Sequence, residues 1–197
     1  VNRTYTLSSS PKTLPRFQLT VKQVKGGQVS NWLAENLHPG MTLEFTQAEG
    51  DFILPEQPPG RILFIAAGSG ITPVMSMLRF LSDTANKSEI DLLYYARSAE
   101  DIIFREELDA LCKKMKGLRL HYCIEAKSSD WQGLEGRICA QHLEQFNKLP
   151  EHEIFLCGPS PFMNAATSAL QAFGVADYQI HKEVFALDLS DISIQTQ

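Results

Sequence analysis

The run Arg61-Ile-Leu-Phe-Ile-Ala-Ala67 leads directly into Gly68-Ser-Gly-Ile-Thr-Pro73, and this junction has the residue types to bind a phosphorylated ligand. Arg61 to Ala67 is apolar and bounded by Pro58-Pro59-Gly60 and by Gly68, the pattern of a fully buried parallel strand. Gly68 and Gly70 let the backbone turn tightly and leave no Cβ in a ligand's way. Thr72 suits a helix N-cap and Pro73 the first helical position. A helix N-terminus aimed back at such a turn attracts anions. The expected anion is a nucleotide pyrophosphate, held by Gly68, Gly70 and Thr72. The usual dinucleotide fingerprint has a third glycine where this chain has Pro73. An ordinary strand-to-helix turn of an α/β domain uses the same residues and stays open as an alternative.

Two further stretches fall at the same edge. Cys157-Gly158-Pro159 follows another apolar run, although a free cysteine there is also a common small core residue. Tyr94-Tyr-Ala-Arg97-Ser98 ends a third run, at the position that faces an adenosine ribose. Arg97 beside Ser98, with Arg105 in the next helix, offers guanidinium groups suited to a 2′-phosphate, which favours NADPH over NADH. Surface pairing of Arg97 and Arg105 with Glu100, Glu106 or Glu107 is the competing reading.

The elements that must position these residues change character along the chain. Val1–Ser10, Phe17–Val24 and Met41–Thr46 alternate apolar and polar residues between tight turns, as in a small barrel, with a short helix Asn31–Leu37 capped by Ser30. Pro55 to Gly60 marks a junction. Beyond it, strands at Arg61–Ala67, Ile90–Ala96, Leu118–Glu125, Glu153–Cys157 and Tyr178–Phe185 alternate with helices at Pro73–Ser82, Asp101–Met115, Cys139–Phe146 and Pro161–Phe173. That order predicts an α/β fold: a doubly wound parallel five-stranded nucleotide-binding sheet, preceded by a partial antiparallel β-barrel. The expected domains are residues 1–57 and 58–187, followed by a frayed tail at 188–197.

The 197 residues carry a net charge of −5, which argues against a general nucleic-acid binder. No apolar run is long enough to span a membrane and no secretory signal opens the chain. The four cysteines form no C-x-x-C, so a zinc or dithiol site is not expected and reduced thiols in the cytoplasm are.

Taken together, Arg3-Thr-Tyr-Thr-Leu-Ser8, Gly27-Gln-Val-Ser30, Gly68-Ser-Gly-Ile-Thr-Pro73, Cys157-Gly-Pro159 and Lys182-Glu-Val-Phe185 resemble, in that order, the ferredoxin–NADP reductase superfamily. The chain is most similar to the flavin reductase modules of bacterial oxygenase and desaturase electron-transfer chains. The resemblance implies FAD as well as NADPH or NADH. Arg3 would pair with the flavin phosphate, Tyr5 stack on the isoalloxazine and Thr6 hydrogen-bond flavin N5. Gly27, Val29 and Ser30 would hold the flavin pyrophosphate on helix N–H groups. Cys157, Gly158 and Pro159 would lie beside the nicotinamide. Glu183 would approach the point where nicotinamide and flavin meet, and Phe185 the flavin edge. Thr6, Cys157 and Glu183 are the residues expected nearest the reaction, while His121 and His181 read as structural.

The implied activity is an electron-transfer reductase. Hydride passes from NAD(P)H to flavin, then single electrons pass to an iron–sulfur or flavodoxin acceptor. Two departures qualify it. The Arg-x-Tyr strand begins at residue 3, where the family's barrel has strands before it, so an N-terminal truncation is expected. No C-x₄-C-x₂-C spacing occurs, so a ferredoxin cluster would lie in a downstream domain or a separate protein. The alternatives are the reductase part of a globin-fused nitric oxide dioxygenase, an NADP(H)-binding fragment without turnover, and a two-domain dehydrogenase. The last would need an acid–base pair near the nicotinamide.

Overall fold

The computed structural model describes residues 3–126 and 129–185. Its strands are β1 (Arg61–Ala67), β2 (Glu89–Ala96), β3 (Leu118–Ile124), β4 (Leu134–Glu135), β5 (Glu153–Gly158) and β6 (Ile180–Val184). They form one parallel sheet in the order β4-β3-β2-β1-β5-β6. The helices are α1 (Gln28–Asn36), α2 (Ile71–Asp83), α3 (Arg105–Lys114), α4 (Ala140–Leu143) and α5 (Ser160–Ala172). Strand order reverses between β1 and β5, so the crevice beyond their C-terminal ends is the place where such sheets bind ligands.

Buried on both faces, β1 reads as a continuous apolar run because every residue needs an apolar neighbour. Ile62, Phe64 and Ala66 meet Val74, Leu78 and Leu81 of α2 and Leu108 of α3. Leu63 and Ile65 meet Leu143, Met163, Ala166 and Leu170, from α4 and α5. The predicted doubly wound sheet is therefore present, with one more strand than expected. The two-residue β4 adds to the edge of β3, and no run that short leaves a periodic signal.

The first sixty residues differ more from the expected pattern. Among the described residues the alternating segments make one antiparallel bridge, Leu7 with Leu19, with the Ser8 N–H donating to the Gln18 carbonyl at 2.8 Å. Alternation sets which side chains share a face, but a strand exists only where a neighbour accepts its N–H groups. Eight of the ten large exposed apolar side chains, from Leu14 to Ile53, lie here, so the alternation has no core of its own to bury against. Phe52 and Leu54 are exceptions that pack onto the core of the parallel sheet, Phe52 edge-on to Phe155.

Helix boundaries also shift. α1 begins at Gln28 with Gly27 as N-cap, placing Ser30 inside the first turn. α2 begins at Ile71, so Thr72 is not its cap. Phe104, with φ 61°, stops residues before Arg105 from joining α3. The Cys139–Phe146 segment is helical only over Ala140–Leu143. Residues 188–197, expected as a tail, lie outside the described residues.

Candidate functional site

Gly68 turns with φ 55° into a 3₁₀ turn, Gly68–Gly70, that feeds α2. Only glycine takes that φ at little cost. Gly70 has a different requirement. A Cβ there would collide with the carbonyl of Cys157, so the absent side chain lets the turn after β1 close onto the end of β5. Gly158 is similar, since a Cβ would lie 2.9 Å from the Phe162 ring. Thr72 is 2% exposed and donates its hydroxyl to the Ser69 carbonyl at 3.0 Å, which locks the turn. The Ile71 N–H donates to the Gly68 and Ser69 carbonyls and Pro73 has no N–H, so the 3₁₀ turn takes up part of the donors at the start of α2.

Two residues that the sequence did not single out complete this turn. The buried Tyr94 hydroxyl donates to the Gly68 carbonyl at 2.9 Å and accepts from the Ile103 N–H at 3.3 Å. Burial raises the Tyr94 phenol's pKa, so it stays a neutral donor. Lys22 reaches over from the first segment, its Nζ 3.8 Å from where a Cβ on Gly68 would sit. An ammonium beside a phosphate-type turn supplies the charge that the glycines lack. Position alone on an alternating strand held no signal for Lys22, because its target is 46 residues further along the chain.

Across the crevice, Cys157 is fully buried on β5 and pairs in register with Glu183 on β6. Burial, followed by the Glu183 charge, pushes the thiol up, and burial also raises Glu183. Pro159 is the exposed N-cap of α5, and the Phe185 N–H donates to the Gly158 carbonyl at 3.1 Å. Gly68, Gly70, Cys157, Gly158, Glu183 and Phe185 are thus all placed around one sheet edge. His181 stacks on Phe155 and bonds Glu153 at 2.9 Å, and His121 bonds Asp91 at the same distance. Both histidines have structural partners.

At the end of β2, Arg97 meets Asp101 at 3.1 Å, and Ser98 lies 3.4 Å from the other Asp101 oxygen. The Arg97 hydrogen bond holds Asp101 below its ordinary range, and Lys22 adds to it. Arg97 therefore pairs with an aspartate rather than with Glu100, Glu106 or Glu107. Its side chain is 71% exposed, so the pair is weak and open to exchange for a phosphate. Arg105 has turned to other partners. Its guanidinium lies 5.5 Å from the centroids of both Tyr122 and Trp131. The three border a cavity of about 590 Å³ with Asp130, Gln132 and Gly133.

On the first segment, Arg3 is exposed and Tyr5 and Thr6 are half-buried. Burial raises the Tyr5 phenol's pKa and the Arg3 charge opposes the rise. Gly27 forms a cradle that any Cβ would fill, at 2.6 Å from the Ser30 Oγ. That Oγ accepts from the Val24 N–H at 3.2 Å. Ser30 is thus a brace for the turn, and Gln28, Val29 and Ser30 form the first turn of α1, whose N–H groups have no acceptor within the helix. The Gly68 turn has the Lys22 ammonium beside it, and the Gly27 turn leads into the N-terminus of α1. Among the described residues no group of three His, Cys, Asp or Glu side chains could hold a metal, and no helix is long and apolar enough to cross a membrane.

The family model of the oxidoreductase NAD-binding domain matches residues 64–168, and that of the oxidoreductase FAD-binding domain matches residues 1–53. The chain belongs to the ferredoxin–NADP reductase superfamily. The glycine betaine monooxygenase reductase subunit of Chromohalobacter salexigens is 36% identical over 98% of this chain and 53% of that protein. Ferredoxin–NADP reductase B of Sorangium cellulosum is 32% identical over 93% of this chain and 78% of that one. The crystal structure of the FAD/NAD-binding domain of nitric oxide dioxygenase from Vibrio cholerae superposes with a TM-score of 0.83 at 30% identity, covering 93% of this chain and 76% of that one. The chain spans about half the length of the oxygenase reductase relatives it matches. It carries the FAD-binding and NAD-binding signatures of an oxidoreductase.

Proposed function

We propose that this chain is the FAD- and NAD(P)H-binding part of an electron-transfer reductase serving an oxygenase, with residues 1–57 as flavin domain and 58–187 as nucleotide domain. The observation that carries the reading is the shared crevice. The flavin-side segment sends Lys22 to the same Gly68 turn that the sheet presents at its switch point. When bound, the flavin and the reduced nicotinamide supply hydride transfer followed by release of single electrons. The chain's own residues bind and orient. Arg3 pairs with the flavin phosphate, Tyr5 offers a flat face and Thr6 a hydrogen bond at N5. Gly27, Val29 and Ser30 take the flavin pyrophosphate, while Gly68, Gly70, Lys22 and the start of α2 take that of the nucleotide. Gly158, Pro159 and Phe185 shape the nicotinamide side, where Cys157 and Glu183 stand in register.

NADPH is the favoured donor, with Arg97 and Ser98 on the 2′-phosphate and Arg105 assisting from the Tyr122–Trp131 cavity. The acceptor is an iron–sulfur protein or a flavodoxin, or a ferredoxin domain of the same polypeptide, and the setting is the cytoplasm. The four cysteines, all free, suit a reducing compartment.

A second reading is an NADP(H)-binding unit without turnover. The single Leu7–Leu19 bridge of the flavin segment favours it. A visible absorption spectrum of the purified chain, taken with FAD and then with NADPH, separates the two. Flavin bands that bleach on adding NADPH support the reductase. Nucleotide binding by calorimetry without retained flavin supports the second reading and removes the first.

A further inference from the structure

The helix that opens at the Gly68 turn also grips the flavin-side segment. Ser76 of α2 donates its hydroxyl to the Ser9 carbonyl at 2.7 Å. One turn further on, the Arg79 Nη1 donates to the Ser8 carbonyl at 2.6 Å and to the Gln18 Oε1 at 3.2 Å. The other edge of the same guanidinium forks onto Glu107 of α3, with Nε and Nη2 at 2.8 and 2.7 Å from the two carboxylate oxygens. Its face lies 5.2 Å from the Phe104 ring centroid. The Arg79 side chain is only 17% exposed. One planar group with donors on both edges thus ties the Thr6 segment and α3 to α2, alongside the Ser76 hydrogen bond. Ser8, fully buried, is two residues from Thr6.

We propose that Arg79, braced by Glu107, is a positioning residue for electron transfer. It fixes the Thr6 segment against α2, its guanidinium being taken up by Ser8, Gln18 and Glu107. The inference rests on the reductase reading above. Transfer between bound groups depends on their spacing, and a misplacement of about 1 Å costs on the order of a hundredfold in rate. Arg79 is placed where a small shift of Ser8 becomes a shift of Thr6.

The test compares Arg79→Ala, Arg79→Lys and Glu107→Gln with the unmodified chain. Arg79→Ala should lower the limiting rate of flavin reduction at saturating NADPH by about tenfold or more, with nucleotide affinity by calorimetry within about twofold. Arg79→Lys keeps a donor for Ser8 but loses the fork, and should fall between. A second readout needs no cofactor. Amide hydrogen exchange of Ser8–Ser10 should quicken in Arg79→Ala and stay unchanged in an Arg97→Ala control. Should Arg79→Ala fail to fold by circular dichroism, the lysine and glutamine variants decide by the same two readouts. Unaltered reduction rate or unaltered exchange in a folded variant overturns the proposal. If the unmodified chain is never reduced, the reductase reading fails instead, and the exchange comparison still decides whether Arg79 holds the strand.

Discussion

Cys157 and Glu183 face each other in register on the adjacent parallel strands β5 and β6, immediately before the Phe185 N–H closes onto the Gly158 carbonyl at 3.1 Å. Burial raises both acids, and the Glu183 charge raises Cys157 further. Cys157 is therefore a neutral thiol that fills space between β5 and its neighbours rather than a nucleophile. For Glu183, a raised folded pKa means that the folded state gains from protonation below the ordinary value of 4.5 and loses that gain as pH rises through the raised value. Glu183→Gln should therefore be more stable than the parent at mildly alkaline pH, by up to about 2 °C in Tm, with the difference vanishing towards acid pH. Thermal melts across pH check this; a pH-independent difference contradicts it.

Thr6 is half-buried on the segment anchored at Ser8. If its hydroxyl serves flavin N5, Thr6→Ala should slow flavin reduction by about tenfold or more while leaving nucleotide affinity nearly unchanged. Stopped-flow absorbance reads the rate directly, and an unaltered rate removes Thr6 from that role.

Arg97 already holds a carboxylate, that of Asp101. A 2′-phosphate must displace it. Arg97→Glu should cost at least about tenfold in NADPH affinity and leave NADH within about twofold. Asp101→Asn, which frees the guanidinium, should move NADPH affinity the other way by a few-fold. Calorimetry with both nucleotides settles the matter, and equal losses for the two would take Arg97 out of the 2′-phosphate site.

Asp91 is a stability determinant far from the site. Burial alone pushes its carboxyl up, but the hydrogen bonds and charges of Arg119 and His121 reverse this and hold it well below its ordinary value of 3.8. A depressed pKa contributes stability above the ordinary range that is lost as pH falls through it. Asp91→Asn should cost about 1–2 kcal/mol at neutral pH, because the half-exposed Arg119 guanidinium loses its fork but stays solvated, and the gap should close on acidification. Urea titrations at several pH values test this.

Gly70→Ala should damage the fold without any ligand present. Its Cβ would meet the Cys157 carbonyl, a backbone atom that cannot rotate away. A loss of about 2–4 kcal/mol is expected, along with lower nucleotide affinity. Gly40→Ala is the contrasting control, since no atom lies within 4 Å of its Cβ position and its φ of 92° makes any cost one of backbone strain alone.

The nucleotide half of this protein is legible in its sequence because its signals are local. A buried parallel strand such as Arg61–Ala67 is an apolar run, and the turn after it needs glycine at Gly68 whatever lies elsewhere. Strand and helix alternation then limits the sheet to a doubly wound order, and the five motifs in sequence point to the family. Tertiary structure decided what depends on partners distant along the chain. Strand pairing in the first segment requires neighbours that alternation does not reveal, and among the described residues only Leu7 and Leu19 find each other. Thr72 looked like a cap, but its hydroxyl turns inward to Ser69 once α2 starts at Ile71. Lys22 at the Gly68 turn, Tyr94 beneath it and Arg79 on Ser8, 71 residues away, leave no periodic trace. A hydrogen bond between remote residues depends on where folding brings two backbones, and neither residue's own neighbours encode that position.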